Sequence, residues 1–151
     1  MAIEREFKFM LHGCAAETIA AACAQEGSHG YTDLEQWYTP GGLRIRRETP
    51  PTGEPTWYLT MKRALPARDG QAVNEETEVV VPDVVARAVV ADAVPGGLES
   101  PHVTKRRHLA TTSFGYVVSF DVYPKGLFYH DGNIVVAECE VDSEELDDVF
   151  L

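Results

Sequence analysis

The sequence predicts an α+β domain in which about eight antiparallel strands close, or nearly close, into a β-barrel with two or three helices packed outside it. Three observations lead there. About eight segments of the 151 residues read as strands with one apolar face. Most connections between them are too short for the crossovers that parallel strands need, which leaves antiparallel pairing. Within the strands, charged residues recur two apart with their signs sorted: Glu4 and Glu6 before Lys8, then Arg44 and Arg46, Glu76 and Glu78, Lys105 and Arg107, Glu138 and Glu140.

The first strand covers Ala2 to Met10. Ala-rich sequence from Cys14 to Gln25 follows as a helix, with Ala15, Ile19, Ala22 and Cys23 on one face and Gly27 and Gly30 closing it. Tyr31 to Thr39 and Leu43 to Thr49 are extended and separated by Pro40-Gly41-Gly42. Pro50-Pro51-Thr52-Gly53 is a turn, and Thr56 to Ala64 is a strand rich in aromatic and β-branched residues. A polar loop through Pro66 and Gly70 leads into Val73 to Val81. Pro82 suits the first turn of a helix, for which Val84, Val85, Ala88 and Val89 supply an apolar stripe and Pro95-Gly96-Gly97 a stop. Val103 to Thr112, Tyr116 to Tyr123 and Ile134 to Val141 complete the strands, and Ser143 caps a short helix starting at Glu144. No repeat or low-complexity linker interrupts the series, and its length is that of one domain spanning residues 1–151.

Composition narrows the function. At 44% hydrophobic and 25% charged residues the chain is of ordinary globular type. A formal net charge of −11 argues against nucleic acid or an anionic membrane as the main partner. The bases are nevertheless clustered, at Arg44 to Arg47, Lys62-Arg63 and Lys105 to Arg107, so a local anion site is compatible with the acidic total. Cys14, Cys23 and Cys139 are an odd number without Cys-x-x-Cys spacing, as in a reducing compartment. The opening residues do not read as a secretory leader and no run of ~18 apolar residues occurs, so the expected location is cytoplasmic. A homodimer is compatible with this composition.

A strand points residues i and i+2 to the same face, about 6–7 Å apart, so like charges at that spacing are costly unless opposite charge lies between them. For carboxylates that can be metal cations, and for bases a polyanion. The apolar face is formed by Ile3, Phe7 and Phe9; Leu43 and Ile45; Leu59 and Met61; Phe120 and Val122; and Ala137 and Val141. Strand by strand, an open sheet with helices on the apolar face and charges in water is the simpler arrangement. The number of agreeing strands and the sorting by sign favour a closed ring with charged faces inward. Acids and bases must then offset one another: Glu4, Glu6, Glu76, Glu78, Asp121, Glu138 and Glu140 against Lys8, Arg44, Arg46, Lys62, Lys105 and Arg107.

These residues resemble the CYTH domain of the triphosphate tunnel metalloenzymes, a superfamily of thiamine triphosphatases, inorganic tripolyphosphatases, class IV adenylyl cyclases and, more distantly, RNA triphosphatases. Glu4-Arg5-Glu6-Phe7-Lys8 is similar to its N-terminal Glu-x-Glu-x-Lys motif. In the same order, Tyr38-Thr39-Pro40 with Leu43-Arg44-Ile45-Arg46 resembles Tyr-x-Thr-Pro and Leu-Arg-x-Arg, and Thr60-Met61-Lys62 resembles Thr-x-Lys. Glu76-Thr77-Glu78 matches the middle Glu-x-Glu, Lys105-Arg106-Arg107 matches Lys-x-Arg, Phe120-Asp121-Val122 the Asp strand, and Glu138-Cys139-Glu140 the late Glu-x-Glu. Two departures stand out. Asn74 occupies a position where the family often has Arg, and the family's stretch after the last Glu pair has no counterpart before Leu151.

The resemblance implies a single tunnel domain that hydrolyses a terminal phosphoanhydride of inorganic tripolyphosphate or of a small organic or nucleoside triphosphate. Lys8, Arg44, Arg46, Lys62, Lys105 and Arg107 would hold the triphosphate, Arg as a fork and Lys as a point charge. Glu4, Glu6, Asp121, Glu138 and Glu140 would bind Mg²⁺ or Mn²⁺ through hard oxygens. Lys62, Lys105 and Glu78 are the candidates for direct catalytic roles. Arg47, Arg63 and Arg106 fall on the other strand face as solvated charges, Trp37 and Trp57 pack, and Tyr38 is either an anchor or a substrate contact. His12, His29, His102, His108 and His130 have no ligand spacing and are surface or structural residues. A cyclase, or a binder that sequesters a nucleotide or polyphosphate, are the alternatives.

Overall fold

A computed structural model describes residues 2–11, 30–66, 72–111, 113, 115–124 and 134–140, with the description limited to the backbone for residues 2–5 and 72. The strands are β1 (Ala2–Leu11), β2 (Tyr31–Tyr38), β3 (Arg44–Thr49), β4 (Thr56–Leu65), β5 (Ala72–Val81), β6 (Val103–Thr111), β7 (Val117–Val122) and β8 (Val135–Glu140). One α-helix, α1 (Asp83–Ala93), and a 3-10 turn at Gly97–Glu99 lie between β5 and β6. Among the described residues this is one helix, not two or three; those expected over residues 14–25 and from residue 144 lie outside them.

Every pairing is antiparallel, and the order β1-β5-β4-β3-β2-β6-β7-β8 returns to β1 through the β8 ladder. The seam is staggered. Among the described residues, 2–6 of β1 pair with β5 and 6–11 with β8, and Glu6 stands opposite a partner on both sides, Ala72 and Glu140. Either half of β1 has one edge without a partner strand among the described residues. The described residues thus join the ring through a ladder on each side of β1.

Directly opposed residues of an antiparallel pair share a face, so the register sorts the side chains around the ring. Lys8 with Glu138, Arg107 with Asp121, Gln36 with Arg46, and Thr60 with Glu78 fall on one face. Trp37 with Ile45, Trp57 with Val81, and Phe7 with Cys139 fall on the other. The helix settles which face is outside. Ala86, Val90 and Val94 are buried against Trp37, Ile45 and Trp57, with Leu43, Leu59, Val81, Val89 and Leu98 around them. The interior of an eight-stranded ring holds side chains or one small ligand but not a helix, so the helix lies outside and the charged face lines the inside.

The buried face of α1 differs from the expected one. Val84 is 74% exposed and Val85 and Ala88 are also exposed, while Ala86 and Val90 point inward. This helix is Val- and Ala-rich nearly all round, so hydrophobicity alone does not choose the arc. Its rotation is set at the first turn, where Trp57 Nε1 donates to Asp83 Oδ1 at 2.8 Å. With Asp83 facing Trp57, residues three and seven positions later turn toward the sheet.

Candidate functional site

The inner face of β6 and β7 is organised around Asp121, which is fully buried. Arg107 donates to both of its oxygens, Nε to Oδ1 at 2.7 Å and Nη2 to Oδ2 at 2.9 Å. Lys105 Nζ lies 2.7 Å from Oδ2. Burial alone would raise the carboxyl pKa, but Arg107 and then Lys105 outweigh it and hold Asp121 below its ordinary value. Lys105 ends below its usual range because burial exceeds the help from Asp121. Burial also opposes the Arg107 charge, yet the bidentate bond to Asp121 leaves that guanidinium more firmly protonated than usual.

A second group forms where β3, β4 and β5 curve together. Glu78 Oε2 accepts from Thr60 Oγ1 at 2.8 Å, and Arg46 Nη2 and Arg44 Nη2 lie 3.3 and 3.5 Å from the same oxygen. Arg46 Nε lies 3.0 Å from Glu48 Oε1, and its guanidinium sits over the Tyr58 ring at 4.9 Å. Burial, with Arg44 and Arg107 nearby, lowers the pKa of Arg46 in spite of Glu48 and Glu78. Burial and Glu48 raise that of the Tyr58 phenol. Arg44 Nε is buried and has no hydrogen-bond partner among the described residues.

At the seam, Lys8 Nζ lies 3.3 Å from Glu6 Oε1 and 3.7 Å from Glu138 Oε1. Burial works against its charge, but Glu138 and Glu6 leave its pKa raised. Lys62 Nζ reaches Glu76 Oε2 at 3.9 Å on β4 and β5. These groups share one interior: Arg46 of β3 is weakened by Arg107 of β6, and Arg107 is supported by both Glu48 and Glu138. Each of the six bases expected to hold phosphate has a carboxylate within 4.0 Å.

The six expected bases thus lie in ion pairs with Glu6, Glu76, Glu78, Asp121 and Glu138. Glu4 is opposite Asn74 in register, so its position alternates onto the inner face, but its side chain lies outside the description. Asp121 has both oxygens engaged by Arg107 and Lys105. Glu6 stands directly opposite Glu140 in the β1–β8 ladder. Among the described residues no three carboxylate, imidazole or thiol groups converge closely enough for a metal ion.

Glu48, Tyr58, Gln36 and Tyr123 line the same interior and were not foreseen, and Thr60 belongs to a matched segment without an assigned role. The signal that finds them is the two-residue period itself: Glu48 follows Arg46, Tyr58 precedes Thr60, and Tyr123 follows Asp121. On the outer face Arg47, Arg63 and Arg106 are more than solvated charges. Arg47 bonds Glu35 and lies over Trp57 at 5.1 Å and Trp37 at 5.7 Å. Arg63 pairs with Glu75, and Arg106 grips Asp33 at 2.8 and 3.1 Å while lying 3.8 Å over Tyr31. Trp37 and Trp57 pack as expected. His102 stacks on Trp37, and His108 is buried, with its pKa lowered first by burial and then by Arg106. His12, His29 and His130 lie outside the described residues.

No family model matches the chain, and no curated protein sequence matches it significantly. Solved structures do. HpAC1 from Hippeastrum, a candidate adenylyl cyclase described as having a dominant triphosphatase activity, superposes with a TM-score of 0.65 at 16% identity, over 96% of this chain and 82% of its own. The protein PH1819 from Pyrococcus horikoshii OT3 gives 0.55 at 21% identity, over 95% and 82%. The inorganic triphosphatase NE1496 gives 0.51 at 19% identity, over 100% and 81%. No α-helix among the described residues is long and apolar enough to cross a membrane. The chain shares its fold with these proteins, the antiparallel tunnel-type sheet that the motif order in its sequence resembles.

Proposed function

We propose that the protein is a metal-dependent triphosphatase that hydrolyses a terminal phosphoanhydride of inorganic tripolyphosphate or of a small organic or nucleoside triphosphate within the charged interior. The observation that carries this reading is the convergence of Lys8, Arg44, Arg46, Lys62, Lys105 and Arg107 on one inner face, with Arg44 Nε buried and without a hydrogen-bond partner among the described residues. A bound triphosphate offers these bases oxygens in place of the carboxylates that now offset them. Two of the structures with the same fold are described as having triphosphatase activity.

In this scheme Arg44 and Arg46 bind phosphate oxygens as forks, and Lys8, Lys62 and Lys105 supply point charges along the chain of phosphates. Asp121 orients Arg107 and Lys105 rather than touching substrate, and Glu78 holds the two β3 arginines until phosphate displaces it. Glu6 and Glu140 oppose each other in register at the seam, and carboxylate oxygens are what Mg²⁺ or Mn²⁺ takes. Glu4, Glu6, Glu138 and Glu140 are the residues that would hold it. Were a divalent cation bound there, the chemistry it would supply is neutralisation of phosphate charge and a lowered pKa for an attacking water. Charge stabilisation and alignment are what phosphoryl transfer asks of a protein.

Phosphate release from tripolyphosphate, ATP and thiamine triphosphate, measured with Mg²⁺, with Mn²⁺ and after chelation, tests the proposal. Metal-dependent release from at least one of them is expected. Tight binding without release from any would instead establish a sequestering protein.

A further inference from the structure

The Arg46 guanidinium is contacted on three sides. Its Cζ lies over the Tyr58 ring, 4.9 Å from the centroid. Nε lies 3.0 Å from Glu48 Oε1, and Nη2 lies 3.3 Å from Glu78 Oε2. Period and register place all three groups. Glu48 follows Arg46 by two residues on β3, on the side away from Arg44. Tyr58 stands directly opposite Arg46 in the β3–β4 ladder, and Glu78 comes from the strand beyond.

The three contacts differ in what they do to an incoming anion. Glu78 meets the Nη end and is the group that a phosphate between Arg44 and Arg46 displaces. Glu48 lies beyond Arg46, outside the span between the two arginines. Of the three groups Tyr58 alone carries no charge. Burial first, and then Glu48 through its charge and a hydrogen bond, raise the phenol's pKa, so the ring is neutral at physiological pH. A cation over an aromatic face within about 6 Å is attracted by the ring quadrupole. Tyr58 therefore holds Arg46 without adding negative charge where phosphate must come.

Arg46 has need of such a hold. Burial, with Arg44 and Arg107 nearby, works against its charge in spite of Glu48 and Glu78. An arginine side chain has large rotamer freedom, and like-charged neighbours push it away from the site. Once Glu78 has been displaced, the fork stays aimed only if its face and its Nε edge remain supported.

We propose that Tyr58 is a positioning residue for Arg46: its ring supports the face of the guanidinium so that the Nη end stays aimed at a bound triphosphate after Glu78 has been displaced. Tyr58 touches the arginine and not the anion. This rests on the triphosphate reading of the interior.

The test is calorimetric titration of the full chain with tripolyphosphate, for the wild type, Tyr58→Leu, Tyr58→Phe, Arg46→Ala and the double variant Arg46→Ala with Tyr58→Leu. Circular dichroism checks that each is folded. Tyr58→Leu is expected to weaken binding about tenfold, the value of a partly buried cation–π contact. Tyr58→Phe keeps the ring and is expected to stay within about threefold of the wild type. In the Arg46→Ala background Tyr58→Leu is expected to cost less than about threefold further, because a residue that acts through Arg46 has nothing left to act on. If Tyr58→Leu does not fold, Tyr58→Gln, suited to the polar interior, replaces it. No loss in Tyr58→Leu, or the same loss in Tyr58→Phe, would overturn the inference while leaving the interior as an anion site. So would a full tenfold loss in the Arg46→Ala background, since Tyr58 would then act independently of the arginine. Failure of the wild type to bind tripolyphosphate or ATP would overturn the triphosphate reading and this inference with it.

Discussion

Arg46 and Glu78 touch across an intervening strand. Arg46 Nη2 on β3 lies 3.3 Å from Glu78 Oε2 on β5, with β4 between them. Strands two apart are separated by roughly 9.5 Å in the pairing direction, so in a flat sheet their side chains run parallel and the gap stays open. They meet here because the inner face is concave. Thr60 of β4 lies beneath and donates to the same carboxylate oxygen. Curvature, set by closure of the ring, thus converts charges scattered along the sequence into a site.

That oxygen serves three donors and competes with any anion for Arg44 and Arg46. Glu78→Gln is expected to lower stability by about 1–3 kcal/mol, since the arginines lose a charged acceptor in a partly buried setting. It should also raise tripolyphosphate affinity several-fold when metal is absent. Urea unfolding and calorimetric titration in chelator read the two effects. A fall in metal-free affinity would show that Glu78 assists the anion rather than displacing it.

Arg46→Lys keeps the charge but removes the planar fork and its stacking on Tyr58. One charge-assisted hydrogen bond to phosphate is worth about 1.5–3 kcal/mol, so tripolyphosphate affinity is expected to fall about 10- to 100-fold. The fold should survive, because the packing of β3 against α1 runs through Ile45 on the opposite face. Circular dichroism and titration together check this; unchanged affinity would remove Arg46 from the site.

Asp121 is the interior residue whose loss should cost most. Asp121→Asn leaves Arg107 and Lys105 buried without their shared carboxylate, a change expected to cost about 3–5 kcal/mol at pH 7. The pH dependence follows from the sign of the shift. The folded-state pKa lies below the ordinary 3.8, so the stabilisation is complete above the unfolded value and is lost as pH falls through the lower, folded one. The gap between wild type and variant in denaturant unfolding should therefore be widest near neutrality and narrow only below about pH 4. A gap that does not change with pH would mean that packing, not charge, sets the cost.

The strands were legible because their period and turn residues agree: Leu43 to Thr49 and Thr56 to Ala64, bounded by the turns at Pro40-Gly41-Gly42 and Pro50 to Gly53, differ from β3 and β4 by one residue at an end. The charged site was legible for the same reason, since Arg44 and Arg46, or Lys105 and Arg107, announce one face by spacing. What alternation does not carry is distance between strands. That Glu78 would serve Arg46 across β4, or that Asp121 would spend both oxygens on Arg107 and Lys105, depends on curvature and register fixed by the whole ring. Glu48 and Tyr58 escaped notice because each sits singly beside a pair and forms no pair of its own. The helix face was misjudged because nearly every side of α1 is apolar.

That last correction makes the final prediction. Val90 is fully buried against Trp37, Ile45 and Trp57, whereas Val84, assigned to the packed stripe by sequence, is 74% exposed. Val90→Ala removes two buried methyl groups from the layer between α1 and the sheet and is expected to cost about 1–3 kcal/mol, transfer and cavity terms together. Val84→Ala removes the same atoms from a surface position and should lie within about 0.5 kcal/mol of the wild type, with Ala's better helix propensity acting in its favour. Denaturant unfolding of the two variants side by side checks the pair, and because they differ only in helix face, the comparison isolates the rotation of α1. Equal costs would mean that Val84 and Val90 are buried alike and that α1 does not present Ala86 and Val90 to the sheet.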